Sequence, residues 1–193
     1  MRRVADIAWA GLKLHIGCGA RHLPPPWVNS DALEVPVIGG VACAHPDVLL
    51  DINADLGGIP TASLDQAYWS HGVEHIYNDL LPGVLVELCR VLRPGGALTL
   101  ATTDLASIFH NSYSKGGPPE HWNAALYGDA RSIDIPFMAH RQCFDYAYLA
   151  RLVSAAGFGI VRPWTASQYQ EIAALNDHST TSAPYSVFVE GIK

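Results

Sequence analysis

Two glycines close a short apolar run near the start of the chain, and aspartates follow at intervals that suit a nucleoside-like ligand. Gly17 and Gly19 come directly after an apolar stretch at 12–16. Glycine has no side chain, so its backbone can bend sharply and leave room for a ligand. Asp31 and Asp51 stand at the predicted ends of later strands, where carboxylates can accept ribose hydroxyls or an adenine amine. This pattern favours a cofactor that carries a ribose and an adenine.

A dinucleotide fits the same glycines less well. The fingerprint of NAD and FAD sites is G-x-G-x-x-G, which cradles a pyrophosphate, and the third glycine position is His22 here. Two carboxylates beside the turn also do not suit a pyrophosphate. A plainer alternative stays open, in which the glycines form an ordinary turn and the two aspartates only cap loop ends.

The stretch from His71 to His75 matches a second pattern, H-x-x-E-H. The same spacing occurs in inverted zinc-peptidase motifs, where two histidines one helical turn apart bind zinc and a glutamate activates water. Gly72 weakens the helix that such a site needs, and a predicted strand immediately precedes it. The peptidase interpretation is kept as a distant alternative, and no metal site is predicted.

The elements that must position these residues alternate between apolar runs and helical patterns, which is typical of a parallel sheet with crossover helices. Strands are predicted at 12–16, 28–31, 48–52, 64–70, 97–101, 158–161 and 185–192. Helices are predicted at 78–92 and 145–156, the first with Asn78 or Asp79 as its cap and Pro82 in its first turn. Residues 111–140 show no clear period and are expected to form a lid on a single domain that spans 1–193.

Composition limits the classes of function. The chain has 193 residues, 49% of them hydrophobic, which is enough for one sizeable core. Twelve Lys and Arg against eighteen Asp and Glu give a formal charge of −6, and no basic run could neutralise a phosphate backbone, so nucleic acid is excluded as a partner. No segment reaches the roughly 18 apolar residues of a membrane span.

The cysteines indicate a reducing compartment. They are widely spaced and form no C-x-x-C pair, so they are expected to be reduced thiols in a cytoplasmic protein: Cys18, Cys43, Cys89 and Cys143. The apolar start after Arg2 and Arg3 weakly resembles a signal peptide. Asp6 interrupts it, and export stays a minor alternative.

Four stretches, taken in order, resemble the successive motifs of class I S-adenosylmethionine (SAM)-dependent methyltransferases, most closely the small methyltransferase type 11-like group. They are Leu-His-Ile-Gly-Cys-Gly at 14–19, Trp-Val-Asn-Ser-Asp at 27–31, Ser-His-Gly-Val-Glu-His at 70–75 and Arg-Val-Leu-Arg-Pro-Gly-Gly at 90–96. The resemblance implies an α/β fold, a Rossmann-like three-layer sandwich with a mostly parallel seven-stranded sheet and an antiparallel last strand. It also implies SAM as the cofactor and methyl transfer to oxygen or nitrogen of a small-molecule or glycan acceptor.

Site roles follow from the resemblance alone. Gly17, Cys18 and Gly19 would pass beneath the methionine portion of SAM, and Asp31 would hold the ribose hydroxyls. The remaining predicted cofactor-binding residues are His15, just before the glycines, Asp51 with Ile52 at the adenine, and His71 near the sulfonium.

The chain departs from the family pattern at its first motif. The position that is usually acidic is His15, which leaves one contact with the methionine amine in question, and a third glycine is replaced by Arg21. The short run from Gly19 to Asp31 holds three prolines, so the usual first helix is expected to be reduced or absent. These departures favour a second alternative, a non-catalytic SAM-binding module that acts through protein contacts.

Two side chains are candidate general bases, His140 and Asp104. A histidine with a near-neutral pKa could remove a proton from an acceptor hydroxyl or amine. The alternative for His140 is a hydrogen bond that only holds the lid in place. The oligomeric state cannot be read from the sequence.

Overall fold

A computed structural model describes residues 3–32, 37–38, 41–42, 45–128, 139–176 and 185–193. The strands are β1 (Leu12–Ile16), β2 (Trp27–Asp31), β3 (Val37–Ile38), β4 (Val41–Ala42), β5 (Val48–Leu49), β6 (Leu64–Ser70), β7 (Leu92–Thr103), β8 (Ile160–Arg162) and β9 (Ser186–Ile192). The helices are α1 (Leu81–Val91), α2 (Leu105–Asn111), α3 (Pro119–Tyr127), α4 (Tyr146–Ala155) and α5 (Gln170–Ala174).

Seven strands form one sheet in the order β5-β2-β1-β6-β7-β9-β8, and β3 with β4 forms a separate hairpin. Every pairing in the large sheet is parallel except those of β9, which runs antiparallel to β7 and β8. The predicted mostly parallel sheet with an antiparallel last strand is therefore confirmed. Because the parallel strands point the same way, the residues that follow β1, β2, β5, β6 and β7 meet at one edge of the sheet.

The central strand β6 shows how the sheet separates two layers of core. Successive side chains of a strand point to opposite faces. Trp69 belongs to the larger cluster, which includes buried residues of α1 and α4. Tyr68 belongs to a smaller cluster with Trp27 of β2, Trp164 and Ile172 of α5. The sheet is thus the middle layer of three, as predicted.

Helix α1 is shorter than predicted at its start. It begins at Leu81, its N-cap residue is Leu80, and no side chain caps it. Asn78 was expected to do so, but its Oδ1 accepts a hydrogen bond of 2.8 Å from the hydroxyl of Tyr148 on α4. The prediction of Asn78 or Asp79 as the cap is therefore wrong, whereas Pro82 does lie in the first turn.

Five predicted strands have different bounds, although β2 and β9 differ by only one residue at their starts. β5 ends at Leu49 rather than at residue 52 because its neighbour β2 ends at Asp31 and offers no further partner. β7 is longer than predicted because the C-terminal strand bonds across the turn at its start, with Gly95 donating to Lys193 and Lys193 donating to Gly96. β8 begins at Ile160, after the buried Phe158.

The crossover from β1 to β2 contains only turns, which confirms the predicted loss of the first helix. The side chain of Asn29 on β2 holds this crossover in place. It accepts a hydrogen bond from the backbone N–H of Leu23 at 2.8 Å and donates one to the Leu23 carbonyl at 3.0 Å. A buried amide therefore fixes the short, proline-rich connection against the sheet.

The segment predicted as a lid, which shows no clear period and was interpreted as a loop, is partly helical. Within 111–140, α3 spans Pro119–Tyr127, so the prediction of a loop there is wrong, while 129–138 lies outside the described residues. The side chains of α3 are mostly not buried, so it lacks the apolar period by which a core helix is recognised.

Two other expectations concern the environment of the protein. Cys18, Cys89 and Cys143 are free thiols, and Cys43 lies outside the described residues. None of the helices in the described part of the chain is both long and apolar enough to cross a bilayer.

Candidate functional site

The glycine turn after β1 and the end of β2 are joined directly. Gly17 and Gly19 have φ angles of +64° and +51°, in the left-handed region that favours glycine. The N–H of Gly19 donates a 3.0 Å hydrogen bond to Oδ2 of Asp31. The structure thus brings together the bend and the carboxylate that the sequence picked out.

Few atoms of the described residues lie beside this turn. Among those residues, a Cβ placed on Gly19 would meet no atom within 4 Å, and one on Gly17 would meet only Nε1 of Trp69, at 4.0 Å. These glycines are therefore required by backbone conformation and not by crowding from protein atoms. A ligand can lie against the bend, which is the fit that a nucleoside-like cofactor needs.

Cys18, between the two glycines, contributes through its backbone. Its N–H donates to the Ser30 carbonyl at 2.9 Å, which ties the turn to β2. Burial, with the nearby carboxylates of Asp31 and Asp47, raises the pKa of the Cys18 thiol to about 12. The thiol therefore stays neutral and is no nucleophile.

His15 points away from the open space. It is 3% exposed, its Nδ1 lies 3.1 Å from Oδ1 of Asn29, and its ring packs on Tyr68 at 5.2 Å. That amide oxygen accepts, so Nδ1 is the donor. These contacts support the short crossover and place the His15 ring in the interior.

Asp51 and Ile52 follow β5 at the same edge of the sheet. Asp51 is exposed, and its Oδ1 accepts hydrogen bonds of 2.9 Å and 3.1 Å from the backbone and side-chain amides of Asn53. Its N–H donates to Asp55. Ile52 is 8% exposed. The turn is therefore held by its own side chains, with the Asp51 carboxylate at the surface.

His71 lies just after β6 in a conformation that is uncommon for a residue with a side chain, with φ of +47°. Its backbone N–H donates to the Ala101 carbonyl of β7 at 2.8 Å. Its Nε2 lies 3.1 Å from the Ser186 hydroxyl and its Nδ1 lies 3.3 Å from Oε1 of Glu74. Both ring nitrogens therefore face protein groups.

Glu74 is a buried carboxylate, 1% exposed, that the sequence prediction did not include among the site residues. Its Oε2 accepts a 2.8 Å hydrogen bond from the Thr102 hydroxyl. Burial raises the pKa of Glu74, but His71, with a smaller contribution from His75, outweighs this effect and lowers that pKa to about 2. The stretch His71–His75 was the available signal: its H-x-x-E-H spacing matches a peptidase pattern and it lies in one of the methyltransferase-like motifs, but neither interpretation assigned Glu74 to the cofactor site.

The peptidase arrangement is not formed. A single 3₁₀ turn, Val73–His75, holds Glu74 and His75, and His71 lies before it. His75 instead contacts His140, with the two rings 4.9 Å apart and near perpendicular. Burial lowers the pKa of His75, a positive charge on His140 lowers it further, and Glu74 opposes both.

The two candidate bases have structural partners. Nδ1 of His140 lies 2.8 Å from the Ala125 carbonyl of α3. The backbone N–H of His140 donates to the carbonyl of Tyr127. Asp104 is the N-cap of α2, where its carboxylate accepts from the N–H groups of Ala106 and Ser107. The Ser107 hydroxyl also donates to it, at 2.5 Å. These contacts favour lid anchoring for His140 and helix capping for Asp104.

An apolar cavity of about 340 Å³ opens between α2 and α3, beyond the carboxyl end of β7. It is lined by Leu105, Ile108, Phe109, Tyr113, Trp122 and Leu126. Three of the rings form a continuous aromatic wall, with Tyr113 stacked on Phe109 at 5.5 Å and edge-on to Trp122 at 6.0 Å. The cavity can receive an aromatic or aliphatic group.

Comparison of the sequence with protein families and with curated proteins gives no match. No protein-family model matches it, and no curated protein matches it significantly.

Solved structures do match the fold. The chain is similar to a SAM-dependent methyltransferase from Archaeoglobus fulgidus, with a TM-score of 0.61 and 17% identity over 95% of this chain and 86% of that one. A SAM-dependent methyltransferase from Mesorhizobium loti gives a TM-score of 0.53 and 14% identity over 98% and 94%.

A third match contains ligands. It is the 1,6-didemethyltoxoflavin N1-methyltransferase of Burkholderia thailandensis with bound 1,6-didemethyltoxoflavin and S-adenosylhomocysteine. Its TM-score is 0.55, with 16% identity over 98% of this chain and 73% of that one. From the strand order and these matches, the chain has the fold of the class I SAM-dependent methyltransferases.

Proposed function

We propose that the protein transfers a methyl group from SAM to a hydroxyl or amine of a small-molecule or glycan acceptor. The observation that carries this proposal is the 3.0 Å hydrogen bond between Gly19 and Asp31, which fixes a carboxylate beside an open glycine bend at the carboxyl edge of the sheet. The methyltransferase fold supports it, because that edge is where parallel α/β sheets bind ligands.

The proposal assigns each part of SAM to residues at this edge. The turn at 17–19 would lie under the methionine portion, and Asp31 would accept hydrogen bonds from the ribose hydroxyls. The adenine would lie against Ile52 and Asp51, and His71 would lie near the sulfonium. SAM supplies a methyl group on a positively charged sulfur, so the protein has mainly to hold an acceptor in line with it.

The acceptor would enter over the ends of β6 and β7, under the lid. The lining of the apolar cavity between α2 and α3 begins at Leu105, two residues after the end of β7. We assign to this cavity the apolar or aromatic part of the acceptor, with the reacting hydroxyl or amine directed toward the sheet edge. A glycan would use the aromatic wall for stacking on a sugar face.

Turnover is the direct test. The purified chain is incubated with SAM and a panel of sugars, phenols and amines, and formation of S-adenosylhomocysteine is measured. We expect acceptor-dependent product from the wild type, a loss of at least tenfold in Asp31→Ala, and unchanged turnover in Asp65→Ala. Asp65 is a matched control because it lies at the opposite end of β6, paired with Arg93. SAM binding without product for any acceptor would favour the non-catalytic module instead.

The role of His140 is tested separately. If His140 is the general base, the variant His140→Ala will retain SAM affinity and lose turnover. If its bond to α3 only positions the lid, SAM affinity and turnover would fall together. Calorimetric titration with SAM beside the turnover assay distinguishes the two.

A further inference from the structure

Three potential metal ligands converge from two distant parts of the chain. Glu74 and His75 lie in the turn after β6, and His140 lies shortly before α4. One ligand atom from each lies within 4.8 Å of the other two. The cluster lies at the base of the lid, outside the glycine turn to which we assign the cofactor.

The hydrogen bonds of both imidazole rings suit metal binding through Nε2. Nδ1 of His75 lies 3.2 Å from the Ala139 carbonyl, and Nδ1 of His140 lies 2.8 Å from the Ala125 carbonyl. A carbonyl only accepts, so each Nδ1 carries the proton and a neutral ring has its lone pair on Nε2. Backbone carbonyls that fix Nδ1–H in this way are the usual second layer around metal-binding histidines.

The carboxylate has an oxygen available for a cation. Oε2 of Glu74 accepts the hydrogen bond from Thr102, whereas within the described part of the chain Oε1 makes no hydrogen bond. Its nearest basic group is Nδ1 of His71, at 3.3 Å. Leaving a buried carboxylate oxygen without a hydrogen bond is costly, and a bound cation would remove that cost.

We propose that Glu74, His75 and His140 bind one divalent transition-metal ion, with Zn²⁺ the best match to the donors. Two imidazole nitrogens and one carboxylate are a common zinc set, with bonds of about 2.0–2.2 Å. Ligand atoms around such an ion are roughly 3.4 Å apart, so the cluster must contract by at most about an ångström and a half. Three protein ligands leave a fourth position open.

The ion would fasten the lid to the sheet. His140 also contacts α3 through Ala125, so a metal bond to Glu74 and His75 would connect α3 with the end of β6. This site differs from the H-x-x-E-H arrangement because His71 is not a ligand. While the ion is bound, His140 cannot also be the general base. The proposal does not depend on SAM binding or on methyl transfer.

The test uses the full-length protein, freed of metal with a chelator and titrated with ZnCl₂ by calorimetry. We expect one Zn²⁺ per chain and a rise in melting temperature on binding, because an ion that binds only the folded state stabilises it. His140→Ala is expected to weaken Zn²⁺ binding at least tenfold. His110→Ala, which removes an exposed histidine on α2, is expected to leave it unchanged.

Co²⁺ provides a second readout that does not need a mutation. The visible spectrum of the Co²⁺-loaded wild type is expected to show the intense bands of four- or five-coordinate geometry, and Zn²⁺ is expected to abolish them by displacement. Absence of stoichiometric Zn²⁺ binding by the wild type would overturn the proposal. Equal affinity in His140→Ala and His110→Ala, with both variants folded by circular dichroism, would do the same.

Discussion

At the residue scale, the left-handed conformation of Gly19 joins two requirements. Its φ of +51° accompanies a hydrogen bond from its N–H to Asp31, and no atom of the residues that the structure describes lies within 4 Å of where a side chain would stand. Any other L-residue pays a conformational penalty in this region, and its side chain occupies the space that we assign to the cofactor. The absence of a Cβ at Gly19 therefore affects both the stability of the fold and the affinity for the proposed cofactor.

This double requirement gives the first prediction. Gly19→Ala is expected to lower the free energy of unfolding by about 1 kcal/mol and to weaken SAM binding at least tenfold. The control is Gly57→Ala, where an added Cβ also meets no atom within 4 Å but the φ angle is not left-handed. Urea denaturation and calorimetry measure the two effects. Full SAM affinity in Gly19→Ala would mean that the cofactor does not lie against this turn.

Asp104 gives a second prediction at the same scale. It accepts hydrogen bonds from two backbone N–H groups at the start of α2, and removing an N-cap costs about 1 kcal/mol. Asp104→Ala is expected to lose that much stability, and Asp104→Ser is expected to recover most of it. If Asp104→Ser loses turnover while its stability stays near that of the wild type, the result would indicate that Asp104 acts as a general base.

At the element scale, the β1–β2 crossover depends on one amide. Asn29 is 3% exposed and is hydrogen-bonded to both backbone groups of Leu23. Asn29→Ala would remove the partner of both Leu23 backbone groups, at about 1–3 kcal/mol each where water cannot enter, and one hydrogen bond of His15. We expect a total loss of about 3 kcal/mol in urea denaturation. Asn53→Ala, at an exposed amide, is expected to change stability by less than about 0.5 kcal/mol.

Helix α1 offers a matched pair of positions for testing the larger core. Leu85 is fully buried, whereas Val86, the next residue, is 49% exposed. Leu85→Ala is expected to cost about 3 kcal/mol because it removes buried apolar surface and leaves a cavity. Val86→Ala is expected to cost less than about 0.5 kcal/mol. Similar losses at both positions would contradict the placement of α1 against the sheet.

The elements also show where sequence reasoning succeeds. β1 and β6 have the predicted bounds because each apolar run is closed by a glycine or by a residue next to one. The predicted start of α1 was wrong because the Asn78 side chain accepts a hydrogen bond from Tyr148, and the residues next to Asn78 in the sequence give no sign of that contact. The helix α3 was missed because its side chains are mostly not buried, so its sequence carries little apolar period.

The same division applies to the site. Gly19 and Asp31 could be paired from the sequence, since Gly19 follows β1 and Asp31 ends the adjacent strand β2 at the same edge of a parallel sheet. The approach of His140 to His75 could not, because it depends on contacts between residues 139–141 and the turn after β6, which are far apart in the sequence. Spacing along the chain predicts contacts within strand ends and turns, and it does not predict contacts between an insertion and the sheet.

At the scale of the whole molecule, the two core layers and the edge of the sheet have separate tasks. The clusters around Trp69 and Tyr68 hold β6 from both faces and thereby fix the strand ends relative to one another. The residues at those ends, Gly19 and Asp31 among them, are thereby held at one edge of the sheet. The proposed function therefore depends on whether the edge between β1 and β2 binds an adenosyl ligand.

Calorimetric titration of the wild type with SAM and with S-adenosylhomocysteine tests this claim most directly, with Asp31→Ala and Asp65→Ala measured alongside. We expect one site per chain for both ligands, at least tenfold weaker in Asp31→Ala and unchanged in Asp65→Ala. Absence of binding to the wild type, or equal affinity in Asp31→Ala, would contradict the proposed cofactor site.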